Sequence, residues 1–258
     1  MTADPNQANP APLGEPLEAV YFDCDSTLAT IEGIDALCEA RSEPLPESIR
    51  ALTDAAMNGE ATIEEVYERR LEILRPTRAM LAAVGELYIQ HAVTGAREAI
   101  AALQALGKTV GIMSGGLLQP VQRFAEALGV AADHVHAVPT VHDADGALID
   151  FDRSSKLWQS GGKPALLRSL GGVIQPCGFV GDGATDLETT EVVRRFIGFG
   201  GVVARPLVMD RAETFVREPD LRFTLPHLLT PAEYRRLRTL ATTRAQAWLP
   251  STNSSATD

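Results

Sequence analysis

The segment Tyr21-Phe22-Asp23-Cys24-Asp25-Ser26-Thr27-Leu28 sets two carboxylates one residue apart, directly after the apolar run Ala19 to Phe22. A short apolar run reads as a buried strand. Residues two apart on a strand share a face, so Asp23 and Asp25 could point the same way at its end. Two close carboxylates repel, and the arrangement needs a cation between them or a proton on one of them. Either outcome suits chemistry: a hard cation such as Mg²⁺ takes oxygen ligands, and a protonated Asp can act as a general acid. Asp and Ser after a strand are also ordinary turn and cap residues, so the octapeptide has to be read with the rest of the chain.

Three further segments carry reactive or anion-binding groups. Gly181-Asp182-Gly183-Ala184-Thr185-Asp186 follows the apolar stretch Cys177 to Val180. Asp182 could complete a cation site with Asp23. Thr185 and Asp186 could cap the next helix or orient water at a metal, and the bland reading is a capped turn. Ser114-Gly115-Gly116 lies between an apolar strand and a helix. A hydroxyl and backbone N–H groups there can hold a phosphoryl oxygen, although Ser-Gly-Gly also makes a plain loop. Lys163, after two glycines at a helix entrance, could neutralise both a carboxylate and a phosphate, whereas an isolated Lys is usually solvated. Cys24 invites a nucleophile reading, but strand alternation turns it away from the two aspartates.

The elements that must position these groups alternate. After Ala19 to Phe22, helical patterns cover Ile34 to Arg41, Pro46 to Met57, Thr62 to Leu74 and Thr77 to Tyr88, with Thr62 and Glu65 spaced as a capping box. No strand signal interrupts them, which suggests a small inserted cap. Helix Ala96 to Leu106, strand Thr109 to Met113 and helix Pro120 to Leu128 follow. Asp145-Gly146 marks a hairpin within His134 to Asp152. Then come a helix from Gly161 to Leu170, strand Cys177 to Val180, a helix to about Arg194 and strand Phe196 to Phe199. Strands alternating with helices imply a parallel sheet covered on both faces, and ligands of such sheets sit beyond the carboxyl ends of the strands. Pro231 to Leu249 reads as a docked structural helix.

Composition narrows the function class. The chain has 258 residues, 45% hydrophobic and 22% charged, with a net charge of −11. That balance, with no long basic run, argues against nucleic acid or an anionic membrane as a partner. Three cysteines without metal-ligand spacing fit reduced thiols in a cytoplasmic protein. No continuous apolar segment is long enough for a membrane span. The N-terminus has no apolar core of the secretory type, so no leader is expected.

Asp23-Cys-Asp-Ser-Thr27, Ser114, Lys163 and Gly181-Asp-Gly-Ala-Thr-Asp186, in that order, resemble the four motifs of the haloacid-dehalogenase-like (HAD) phosphatases. Glu32-Gly33-Ile34-Asp35, Met57, Arg70-Leu71 with Pro76, Ser114-Gly-Gly116, Gly161-Gly-Lys163 and Ile197-Gly-Phe-Gly-Gly201 are similar to the branch of that superfamily that acts on phosphoserine. The resemblance runs from about Val20 to Leu229. It implies an α/β fold: a Rossmann-like HAD core with a parallel sheet between helices, plus an inserted small helical cap domain. The implied layout is a flexible tail over 1–16, the core over 17–32 and 93–230, the cap over 33–92, a C-terminal helix over 231–250 and a flexible tail over 251–258.

The resemblance further implies a Mg²⁺-dependent enzyme that hydrolyses O-phospho-L-serine to L-serine and phosphate through an aspartyl-phosphate, the last step of serine biosynthesis. Asp23 would be the nucleophile, and Asp25 the general acid and then base. Mg²⁺ would be held by Asp23, the Asp25 backbone carbonyl and Asp182, with Asp186 next to them. Lys163 would offset charge on the transferring group. Ser114, Gly115, Gly116, Lys163 and Thr185 would bind the phosphoryl end of the substrate, Glu32 its ammonium and Arg70 its carboxylate, with Met57 packing over it. Each cap residue has a bland alternative: Glu32 as a helix cap, Met57 as core filler, Arg70 paired with Glu neighbours. Asn58-Gly59 departs from the two glycines the branch often has. The partner expected is a small molecule, with no nucleic acid and no membrane, and a homodimer is compatible with the pattern. The same motifs also admit transfer of the phosphoryl group to another alcohol such as homoserine, hydrolysis of another small phosphomonoester, or a non-catalytic binding protein on this scaffold.

Overall fold

The computed structural model describes residues 12–40, 51, 62–171 and 175–250. The strands are β1 (Ala19–Phe22), β2 (Thr109–Leu117), β3 (Val135–Val138), β4 (Thr140–His142), β5 (Leu148–Phe151), β6 (Gln175–Gly181), β7 (Val193–Phe199) and β8 (Phe215–Val216). All four residues of β1 are buried, as expected of a strand covered on both faces. Among the described residues, six strands form one sheet in the order β3-β2-β1-β6-β7-β8, and every pairing in it is parallel. The chain leaves β1 for β2 on one side and later returns to β6 on the other, which makes the end of β1 a topological switch point. Phe22 is level with Ile112 of β2 and Val180 of β6. Asp23, Ser114 and Asp182 therefore emerge within a residue or two of one height.

Burial of Val20, Phe22, Ile112, Phe179, Val180, Ile197 and Phe199 is complete. Helices Ala96–Ala105, Leu118–Leu128 and Gly162–Gly171 provide the crossovers. Pro231–Arg244 starts with a capping box between Thr230 and Glu233. It docks through Lys108, whose Nζ lies 2.5 Å from Glu233 Oε1 and 2.7 Å from the Leu17 carbonyl oxygen. Leu13, inside the stretch expected as a tail, is buried.

Several boundaries differ from expectation. β2 continues to Leu117 with a register shift against β3 between Met113 and Leu117, so Ser114-Gly115-Gly116 is an irregular strand extension and not a loop. The helix expected to reach Arg194 stops at Leu187 and a 3₁₀ turn covers Glu188–Glu191. Val193 to Phe199 is claimed by the sheet, where β7 is almost wholly buried despite Arg194 and Arg195. Thr62 does stand at the helix start, but its side chain makes no capping bond. The next helix is capped by Thr77, whose side chain accepts from the Met80 amide at 3.3 Å.

The cap side is built from helices Gly33–Ala40, Ile63–Leu74 and Arg78–Gln90. Apart from Ala51, which is helical, the expected helix Pro46 to Met57 lies outside the described residues, as do Met57 itself, the Asn58-Gly59 pair and the C-terminal tail from 251. Tyr88, on the third of these helices, stacks on Phe124 of Leu118–Leu128 at 5.6 Å between ring centres. Tyr67, on the second, meets Phe151 of β5 edge-on at 5.3 Å. β4 and β5 form the antiparallel hairpin around Asp145-Gly146. An ion pair between Arg153 and Glu68 ties this hairpin's exit to the cap helix. Among the described residues no helix is long and apolar enough to cross a membrane.

Candidate active site

The turn after β1 folds back tightly: the amides of Leu28 and Ala29 both donate to the Cys24 carbonyl, and Ser26 takes a left-handed φ of 53°. This keeps Asp23 at the strand end, where its own amide donates to the Val180 carbonyl at 2.9 Å. Lys163, buried at the start of its helix, places Nζ 2.8 Å from Asp23 Oδ1 and also bonds Asp186 Oδ1. Asp186 Oδ2 accepts from the Gly183 amide at 2.9 Å. Asp182 is held by Thr27 Oγ1 at 3.1 Å and by Arg205 Nε at 2.8 Å. Four loops distant in sequence thus meet around one buried cluster.

Asp25 faces the cap. Its Oδ1 accepts from Tyr88 Oη at 2.5 Å and from the Gly33 amide at 2.9 Å. Burial is the main cause that lifts its carboxyl to about 8, followed by Glu32 and Asp23, with Tyr88 and Gly33 pulling the other way. Asp23 is lifted to about 7, again by burial first and then by Asp186, against the opposing pull of Lys163. Asp182 is pushed well up by burial, Asp186 and Glu32, opposed by Arg205. Lys163 is held fully charged, because Asp186 and Asp23 outweigh its own desolvation. Cys24 is completely buried and does not line the cavity.

The cluster fits a hard divalent cation. Carboxylate oxygens of Asp23, Asp182 and Asp186 lie within 4.8 Å of one another, and all three residues are buried. Oxygens bound to a common ion at about 2.0–2.6 Å stand within roughly that spread. The donors are all oxygen, and the carboxyls of Asp23 and Asp182 are shifted upward by burial first and by neighbouring carboxylates second, so a bound cation would replace solvation they have lost.

A cavity opens in front of this cluster. Asp23, Asp25, Lys163 and Thr185 line it from the core, together with Ser114, Gly115 and Gly116. Ser114 Oγ accepts from the Gly116 amide at 2.9 Å. A Cβ on Gly116 would stand 3.1 Å from Ser114 Oγ and 3.5 Å from Asp25 Oδ2, so glycine keeps this wall close to the carboxylate. Arg70 and Tyr67 line it from the cap. Arg70 is 7% exposed, and its Nε donates to the Val66 carbonyl at 3.3 Å. Glu32 is not among the lining residues. Its Oε1 accepts from Ser26 Oγ at 2.6 Å and from Arg205 Nη2 at 3.3 Å.

Three residues of the site have no motif to announce them. Arg205 bridges Asp182 and Glu32, and its one sequence signal is the following Pro206, which marks a helix start. Tyr88 and Tyr67 stand at helical spacing among apolar residues, where an aromatic ordinarily reads as core.

The chain belongs to the haloacid dehalogenase-like hydrolases, whose family model matches residues 20–191. Within that family it is similar to phosphoserine phosphatases. The Bos taurus phosphoserine phosphatase is 32% identical over 203 residues, covering 78% of this chain and 89% of the bovine one. The Drosophila melanogaster phosphoserine phosphatase is 33% identical over 204 residues, covering 78% of this chain and 75% of the fly protein. A solved phospho-aspartyl intermediate analogue of phosphoserine phosphatase superposes with a TM-score of 0.70 at 25% identity, covering 83% of this chain and 100% of that one.

Proposed function

We propose that this chain is a Mg²⁺-dependent phosphoserine phosphatase. The observation that carries the reading is one cavity with Asp23, Lys163 and Asp25 on its floor and the Arg70 guanidinium on its roof. A phosphate suits the first set, and a carboxylate at the other end of a small molecule suits Arg70 in fork geometry. Glu32 stands behind the lining, next to Gly33 of the cavity wall and held by Ser26 and Arg205, and is the carboxylate toward which the substrate ammonium would be directed.

Asp23, ionised against Lys163, attacks phosphorus with a carboxylate oxygen. The bond from phosphorus to the serine oxygen breaks, and Asp25 gives that oxygen its proton. Water then attacks the phosphorus of the aspartyl-phosphate. Asp25 takes the water's proton, and Asp23 leaves as carboxylate. Lys163, Ser114 Oγ and the Gly115 amide hold the phosphoryl oxygens throughout, with the Gly116 amide donating to Ser114 Oγ and orienting it. Asp23, Asp182 and the Asp25 backbone carbonyl would hold Mg²⁺, with Asp186 beside them; bound there, the ion supplies positive charge against the transferring group, the main requirement of phosphoryl transfer. The cap excludes water while the first step proceeds. Three free, buried cysteines support placing the enzyme in the reducing cytoplasm.

The test is phosphate release from a panel of phosphomonoesters with Mg²⁺, alone and with candidate acceptor alcohols. The expected result is O-phospho-L-serine turned over best, no phosphorylated acceptor, and no turnover by Asp23→Asn. Equal turnover of unrelated esters would remove the substrate assignment and leave the chemistry standing.

A further inference from the structure

Among the described residues, Tyr67 Oη is a buried side-chain oxygen with no hydrogen-bond partner. Native folds seldom leave a buried hydroxyl unpaired, and each case asks for a reason. Tyr67 is 7% exposed, yet it lines the cavity that holds Asp23 and Lys163. Its ring is fixed from behind: Phe151 meets it edge-on at 5.3 Å and Trp158 lies 6.3 Å away. The hydroxyl cannot swing to another partner without breaking that aromatic cluster. It is also a dependable donor, because burial raises the phenol and keeps it protonated.

Tyr67 and Arg70 are three residues apart on helix Ile63–Leu74, and this spacing puts two side chains on one helix face. Both reach the cavity from the cap. The phosphoryl end of a ligand already has Lys163, Ser114 and the Gly115 amide on the opposite wall. A carboxylate at the cap end has about four acceptor positions. Arg70 engages two in a fork, which leaves room for a neutral donor beside it.

Resting on the phosphoserine reading above, we propose that Tyr67 is a specificity-determining residue whose hydroxyl donates to the substrate carboxylate alongside Arg70. Its role is to separate phosphoserine from a phosphomonoester of the same length that lacks the carboxylate.

The experiment compares wild type with Tyr67→Phe on O-phospho-L-serine and on O-phosphoethanolamine, the latter measured as substrate or as competitive inhibitor. The ring and its packing are kept and the unpaired hydroxyl is removed. For phosphoserine the expected result is a KM raised about tenfold, the scale of a hydrogen bond to a charged group, with kcat changed by less than about twofold. The phosphoethanolamine constant should stay within about twofold of wild type. Without ligand, Tm should rise by about 2–4 °C as an unsatisfied group disappears. An unchanged phosphoserine KM, an equal loss on both compounds, or a fall in Tm overturns the proposal. If wild type itself shows no preference for phosphoserine over phosphoethanolamine, the substrate reading falls and takes this inference with it. A wild-type preference that survives intact in Tyr67→Phe overturns this inference alone.

Discussion

Tyr88 Oη donates to Asp25 Oδ1 at 2.5 Å, and the Gly33 amide donates to the same oxygen at 2.9 Å. The bond joins a core carboxylate to a cap-side helix. Both donors occupy Oδ1, while Oδ2 faces Gly116 on the phosphoryl wall. Asp25 is thereby oriented with one oxygen anchored and the other toward the position where a leaving oxygen would stand.

Removing that anchor should therefore slow the proton-transfer step more than it weakens binding. Tyr88→Phe keeps the stack on Phe124 and is expected to lower kcat about tenfold with little change in KM, since a hydrogen bond that orients the proton-transferring carboxyl is lost. Gly33→Ala reaches the same point by another route: a Cβ there would stand 2.2 Å from Tyr88 Oη. The two substitutions should not add, because each breaks the same contact. Steady-state kinetics of both singles and the double would decide it, and additive losses would contradict the geometry.

Lys163 is the charge on which two buried carboxylates depend. Replacing it with Met leaves Asp23 and Asp186 facing each other with no cation between them. Activity should fall at least about a hundredfold, as for loss of one preorganised group at a reacting oxyanion. Stability should fall by about 3–5 kcal/mol in urea titrations, the cost of stranding one side of a buried pair. A variant that keeps its stability while losing activity would mean the pair is not closed in the resting enzyme.

Acid–base linkage gives a third outcome. Asp23 and Asp25 titrate at about 7 and about 8 in the folded chain, against about 4 when unfolded. Between those limits the folded state binds more protons than the unfolded state. Stability therefore falls as pH rises from about 4 to about 8. Lys163 is charged throughout that window and adds no slope. Thermal melts in chelator should show a lower Tm at pH 8 than at pH 5. Added Mg²⁺ should recover more at pH 8, where the carboxylates are ionised and ready to bind it. A Tm that rises from pH 5 to pH 8 in chelator would contradict the raised values.

The reactive half of the site was legible because its residues sit at strand ends. Apolar runs ending in Asp23, Ser114 and Asp182 fix both element type and position, and parallel pairing then brings them to one level. Lys163 was legible through the two glycines before it. Arg205, Tyr88 and Tyr67 were not, because their roles depend on tertiary placement with no fixed spacing to the motifs. Arg205 reaches Asp182 across 23 residues and Glu32 across 173, and no local pattern encodes such a reach. The strand expected to end at Met113 runs on to Leu117 because glycine weakens a strand signal, while pairing with β3 resumes at Leu117 after a register shift. The helix expected to reach Arg194 stops short for a similar reason: parallel pairing with β6 takes the chain from Val193 into the sheet.

The level register of β1 with β2 and β6 also bears on how the enzyme comes into being. The three strands lie at 19–22, 109–117 and 175–181, so their alignment requires closing long loops before any of it is rewarded. A portion of the polypeptide that lacks any one of these three strands does not contain the whole centre. Phosphatase activity should therefore appear late in refolding, in step with completion of the whole sheet, and a cut that separates β6 from β1 should silence it even when each piece retains helical structure.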